Sequence, residues 1–240
     1  MKLFLLRRSR LAALSCALAA AAMLYAVSCP GTANTAAAVR QLPIYCTQRD
    51  QKMVSLSFDA AWGNEDTRTL IDILGTHNIK ATFFVMGGWV DKYPESVKAL
   101  HNAGHEVMNH SNAHAHMSQL SREQIAADIE ACNDKIARVT GVRPTLFRPP
   151  YGEYDNNVIS TVRALGMEPI QWDVDSLDWR DLSAQDITRR VLRDVNPGSI
   201  VLFHNAGLHT PEALPGIIGA LLQEGYTLVP VSQLILPQPY

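Results

Sequence analysis

Val54-Ser55-Leu56-Ser57-Phe58-Asp59 is a short β-rich run that ends on a carboxylate, and the same ending recurs along the chain. Glu106–Met108 ends in Asn109-His110 and Thr145–Phe147 ends in Arg148. Ile170–Val174 ends in Asp175, with Asp178 beyond, and Ser199–Phe203 ends in His204. Short apolar runs bounded by turn residues read as strands. Each of these strand candidates therefore delivers a polar, charged or imidazole group at its C-terminal end. In a parallel barrel those ends converge on one face, and active sites are built there. A chance arrangement would leave some of the groups at strand starts.

Outward from these runs the chain alternates. Strand candidates are Val54–Phe58, Ala81–Met86, Glu106–Met108, Thr145–Phe147, Pro169–Val174, Ser199–Phe203 and Thr227–Val231. Helix candidates fall near 66–77, 94–103, 121–139, 155–165, 183–194 and 211–223. Starts are marked by Pro94, Ser121, Ser183 and Thr210-Pro211, and ends by Gly104, Gly141, Gly166 and Gly225. Such alternation predicts an α/β fold on a parallel sheet, open or closed into a barrel; periodicity alone leaves both available. With 240 residues, 47% hydrophobic and 18% charged, the chain can bury a full core without disulfide staples.

The first stretch is of another kind. Lys2, Arg7, Arg8 and Arg10 precede an Ala- and Leu-rich run from Leu11 to Val27, the pattern of an export signal. We read residues 1–38 as a signal peptide or membrane anchor, 39–50 as a linker and 51–236 as the functional domain. A secreted or extracytoplasmic location follows, with a membrane tether if the leader is retained. The formal net charge of −2 becomes more acidic once the leader is removed, and no basic stripe interleaved with aromatics is present, so nucleic acid is not an expected partner. Cys46 and Cys132 fit no zinc spacing.

Some of the polar groups at the run ends have a definite chemical reading. His110 and His114 are four residues apart and can aim at one metal from a helix or a tight loop, although two solvated loop histidines would look the same. In Phe147-Arg148-Pro149-Pro150-Tyr151-Gly152 the prolines fix the backbone after a strand. Arg148 is thereby held, and the Tyr151 N–H can meet a developing oxyanion; a turn with a solvated arginine is the plainer alternative. Asp175 and Asp178 could orient a histidine general acid or simply cap the next helix.

Taken together and in this order, Ser57-Phe58-Asp59, His110-Ser111-x-x-His114, Arg148-Pro149-Pro150-Tyr151-Gly152, Asp175-x-x-Asp178-Trp179 and Leu202-x-His204 resemble the motifs of the polysaccharide deacetylases of carbohydrate esterase family 4, the NodB homology domain. The resemblance runs from about residue 50 to 235. It implies a distorted (β/α) barrel with about seven parallel strands, and metal-dependent hydrolysis of N-acetyl groups from a cell-wall-type polysaccharide. Carried over, it makes Asp59 the general base, Arg148 its positioning partner, His204 the general acid and Asp178 the residue that tunes it. His110 and His114 would hold Zn²⁺ or another divalent metal, Tyr151 would supply an oxyanion N–H, and Trp179 and Leu202 would shape the acetyl pocket.

One position departs from the family pattern. Where the family has a second aspartate as metal ligand, this chain has Ala60, in Asp59-Ala60-Ala61-Trp62-Gly63. The Trp-Gly pair resembles a sporulation-associated branch, which points to peptidoglycan as the polymer. Two other readings stay open: a catalytically degenerate glycan-binding wall protein, and a chitin or xylan deacetylase.

Overall fold

The computed structural model describes residues 39–236, so the leader and its expected cleavage or anchoring lie outside the described residues. Strand β1 (Met53–Ala60) occupies the middle of the sheet. Around it the order is β5 (Glu168–Pro169), β4 (Leu146–Phe147), β3 (Glu106–Asn109), β2 (Thr82–Val85), β1, β7 (Ile200–His204), β6 (Val174–Asp175), and every pairing is parallel. β8 (Thr227–Leu228) pairs with the first residues of β1. The result is a curled, distorted (β/α) barrel, as expected.

The alternation of β1 explains its central place. Val54, Leu56, Phe58 and Ala60 belong to the core cluster that also holds the apolar faces of the surrounding helices. Ser55, Ser57 and Asp59 fall on the opposite face, where the polar chemistry begins. The Phe58 ring stacks on Phe83 of β2 at 4.8 Å and on Phe203 of β7 at 5.4 Å, which ties three strands together just beneath Asp59.

The helices are α1 (Thr67–Thr76), α2 (Gly87–Lys92), α3 (Pro94–Asn102), α4 (Arg122–Thr140), α5 (Asn156–Ala164), α6 (Ala184–Asp194), α7 (Thr210–Gln223) and α8 (Val231–Ile235). α4 starts on a capping box, with Ser121 and Gln124 exchanging side-chain and backbone hydrogen bonds, and ends on left-handed Gly141. The two short helices α2 and α8 carry too few turns for a readable period, and the sequence pattern does not mark them. No helix among the described residues is long and apolar enough to cross a membrane.

One expected strand is two. The run Pro169–Val174 divides into β5 and β6, which lie at opposite ends of the sheet order. The crossing is pinned by Asp173, whose carboxylate accepts from Ile200 N at 2.8 Å and Ser199 Oγ at 2.7 Å, drawing the chain across to the start of β7. Residues before β1 also meet the sheet. Ile44 bridges Ile170 beside β5, and Cys46 bridges Ser199 beside β7.

Candidate active site

The carboxyl ends of the strands surround a cleft of about 380 Å³. Of the residues singled out from sequence, Asp59, His110, His114, Tyr151, Trp179, Leu202 and His204 line it. Arg148 and Asp178 are completely buried behind it, each bonded to a lining residue. All nine are thus brought together. Trp62, Trp172 and Asp175 complete the lining.

Asp59 sits at the end of β1, one strand over from His204 at the end of β7, and the two are register partners. Arg148 Nη1 donates to Asp59 Oδ1 at 2.8 Å, while Nη2 donates to Ser57 Oγ at 2.8 Å and to the Gln171 carbonyl at 3.2 Å. The guanidinium also lies 4.1 Å from the centroid of Phe84, a cation–π contact in a dry setting. Its Nε has no partner. Burial alone would raise the Asp59 pKa, but the facing His110, the Arg148 charge and its hydrogen bond, and His204 outweigh it and hold the carboxyl below its usual range. The second oxygen, Oδ2, remains turned to the cleft side, 3.6 Å from His110 Nε2.

The histidine segment is a tight loop. Ser111 and His114 have φ of 66° and 53°, in the left-handed region where non-glycine residues need support. Asn109 Oδ1 accepts from Ser111 N at 2.7 Å, Ser111 Oγ accepts from His114 N at 2.8 Å, and the Asp128 carboxylate of α4 accepts from Asn112 N at 2.7 Å. His110 Nδ1 bonds the Arg148 carbonyl at 2.8 Å. A carbonyl only accepts, so Nδ1 carries the proton and Nε2 presents a lone pair. Burial depresses both imidazoles, His114 to about 4, and keeps them neutral at neutral pH.

The opposite wall is arranged around a buried carboxylate. Asp178 Oδ1 accepts from His204 Nδ1 at 2.8 Å, and Oδ2 accepts from the His204 N–H at 2.8 Å and Thr210 Oγ1 at 2.7 Å. A Cβ on Gly207 would lie 2.9 Å from Asp178 Oδ2, so the loop after β7 passes over this carboxylate only with glycine there. Burial by itself would lower the His204 pKa, but the hydrogen bond and charge of Asp178, reinforced by Asp59 and Asp175, leave it raised.

Tyr151 takes φ 59° between Pro150 and Gly152, and its ring stands edge-on to His114 at 4.5 Å and stacked on His116 at 4.6 Å. Asn205 escaped the sequence reading although it joins the two walls. Its N–H donates to the Asp59 carbonyl at 3.0 Å, its Oδ1 accepts from Ala61 N at 3.2 Å, and its Nδ2 donates to the carbonyls of Trp62 and Gly63. Its place directly after a catalytic-looking histidine was the available signal.

Residues 47–170 match the family Polysaccharide deacetylase. The chain belongs to this family. It is 36% identical over 185 residues to the peptidoglycan-N-acetylmuramic acid deacetylase PdaC of Bacillus subtilis, covering 77% of this chain and 39% of PdaC. It is 35% identical over 180 residues to the peptidoglycan-N-acetylglucosamine deacetylase of Bacillus cereus, covering 73% of this chain and 66% of that protein. The chain therefore spans less than two thirds of either relative. Among solved structures it is similar to BA3943 of Bacillus anthracis, described as a CE4 family pseudoenzyme, with a TM-score of 0.77, 35% identity, and 80% and 68% of the two chains covered. A BA3943 mutant with restored enzymatic activity superimposes equally well, at a TM-score of 0.77 and 36% identity, covering 80% and 71%.

Polysaccharide deacetylases are in general metal-dependent, and the donors here can be tested against that. Two neutral imidazoles with ring centroids 5.0 Å apart face the cleft, and the His110 tautomer leaves its Nε2 free, as a metal-ligating histidine requires. These could offer two nitrogen donors to a divalent metal, one fewer than the three protein ligands usual at a catalytic zinc. Among the described residues there is no group of three or more His, Cys, Asp or Glu side chains that could hold an ion. Ala60, in the position of the family's carboxylate ligand, is packed in the core cluster at 1% exposure.

Proposed function

We propose that this cleft hydrolyses the N-acetyl group of an acetylated glycan of the peptidoglycan type, releasing acetate and leaving a free amine. The observation that carries the reading is the opposed tuning of Asp59 and His204. One is held ionised and the other is biased toward its protonated form, side by side on neighbouring strands. Paired groups whose environments push their pKa values apart mark the base and the acid of a hydrolytic site. Asp59 takes a proton from water as it attacks the amide carbon, and Arg148 fixes the carboxylate for that step. The Tyr151 N–H donates to the carbonyl oxygen as charge develops there. His204, oriented by Asp178, gives a proton to the departing amine nitrogen. Leu202 and Trp179 flank the acetyl methyl. His110 and His114 would hold Zn²⁺ or another divalent metal, which would supply Lewis-acid polarisation of the amide carbonyl.

The choice of polymer rests on the names of PdaC and the Bacillus cereus deacetylase, both peptidoglycan enzymes that differ in the sugar attacked. An exported chain, secreted or tethered through its N-terminal segment, would meet such a substrate outside the cytoplasm. A second reading, a silent glycan-binding protein, is favoured by the two-donor metal site and by the likeness to BA3943. Acetate release from N-acetylated peptidoglycan and chito-oligosaccharides, with added Zn²⁺ and with a chelator, decides between them. Release that the chelator abolishes supports the hydrolase; glycan binding with no release under any metal supports the silent protein.

A further inference from the structure

Three aromatic side chains, Trp62, Tyr151 and Trp179, line the cleft, yet each is 59% exposed. Single exposed apolar residues on a protein surface need no explanation, but several gathered at one opening mark a binding surface. Tyr151 and Trp179 already have places in the proposed reaction. Trp62 has none: among the described residues its ring makes no hydrogen bond in the cleft, and it meets His114 in a T-shaped contact at 5.1 Å.

The backbone beneath this ring is held from several directions. Asn205, itself 4% exposed, donates to the carbonyls of Trp62 and Gly63, and the Gly63 carbonyl also accepts from Trp89 Nε1 of α2. Gly63 at φ 53° turns the chain immediately after the tryptophan. A large apolar face is thus presented to water on a segment whose carbonyls are tied to β7 and α2. Such preorganisation lowers the ordering cost of binding.

We propose that Trp62 is a stacking platform for a pyranose ring adjacent to the sugar being deacetylated, and so favours a chain of sugars over a single one. This inference rests on the glycan reading of the cleft. A pyranose has an apolar face of C–H groups and a rim of hydroxyls. It can cover the exposed indole while its hydroxyls stay in water, the combination that an aromatic with one buried and one wet side accommodates. With the reacting acetamido group directed at Asp59 and His204, the ring that meets the mouth of the cleft belongs to a neighbouring residue of the polymer.

The test compares wild type, Trp62→Ala and Trp62→Phe, in a chelator that arrests turnover, by calorimetric titration with N-acetylglucosamine and with its β-1,4-linked tetramer. Wild type is expected to bind the tetramer more tightly than the single sugar. Trp62→Ala should shrink that ratio about tenfold, and Trp62→Phe should retain most of it. A ratio unchanged in Trp62→Ala overturns the platform. Equal weakening for both ligands also overturns it, and assigns Trp62 to shielding His114 instead. If wild type binds neither ligand nor peptidoglycan fragments, the glycan reading itself falls, which acetate release by the metal-loaded wild type reports separately.

Discussion

The two walls of the cleft are built to different standards of completeness. On the acid wall, Asp178 is wholly buried and receives three hydrogen bonds, two from His204 and one from Thr210, so the imidazole has one orientation and a fixed partner. On the wall proposed to hold the base, Asp59 pairs with Arg148, but among the described residues the two imidazoles opposite have no carboxylate of their own beyond Asp59. The His204–Asp178 side is complete in itself, whereas the two imidazoles across from it lack a third donor among the described residues. A protein can keep the first kind of wall unchanged while gaining or losing activity through the second.

The largest break in this comparison should come from Asp59→Asn. Turnover is expected to fall by about 10³-fold or more, because this carboxylate is the one that Arg148 fixes beside the proposed site of attack. Loss of the charge also strands the buried guanidinium of Arg148, and stability should drop by about 3 kcal/mol, read by urea denaturation. Acetate release near the wild-type rate would remove Asp59 as the base. The next effect is on the acid wall. In wild type the acid limb of kcat/KM is expected to lie below the usual carboxylate range and the alkaline limb above the usual imidazole range, following the directions for Asp59 and His204. Asp178→Asn removes what raises the His204 pKa, so the alkaline limb should move to lower pH. A limb that stays in place means that His204 is not the titrating acid.

His114→Ala should sharpen the contrast from the metal side. Zinc bound per chain, measured by atomic absorption after dialysis, is expected to fall below the wild-type value while the fold and the His204–Asp178 pair persist. Unchanged occupancy would show that the ion sits elsewhere. The smallest effect lies away from the cleft. His105 is buried, accepts from Ala81 N at 3.2 Å, and is depressed by burial to about 4. The unfolded chain takes up this proton below about pH 6.5, but the folded chain resists until about pH 4. The associated stability is therefore complete above 6.5 and lost as pH falls between those values, with a slope of about 1.4 kcal/mol per pH unit. His105→Asn should flatten that part of the curve by up to one proton in denaturation at stepped pH.

Much of the site could be read from the sequence because a strand's last residue is where a parallel barrel places its chemistry, and Asp59, His110, Arg148 and His204 all stand at such ends. What could not be read depends on neighbours distant in sequence. Pro169–Val174 looks like one strand because Ile170, Trp172 and Val174 alternate with Gln171 and Asp173, and the reach of Asp173 to Ser199 and Ile200 divides it. The complete burial of Arg148 is likewise set by Phe84, Ser57 and Gln171, from three other parts of the chain. Asn205 carries no signature of its own, since its value lies in four groups on the β1 side that it happens to reach.

The pairing of β1 with β7 has a consequence in time as well as in space. Ser57 Oγ donates to a carbonyl 144 residues further along, at Val201, and Asp59 meets His204 in the same ladder. Contacts so distant in sequence form late and slowly. During synthesis from the N-terminal side Asp59 is made long before His204, so the proposed pair is assembled only after β7 has been made. Any fragment that stops short of β7 lacks not a refinement of the cleft but one of its two walls.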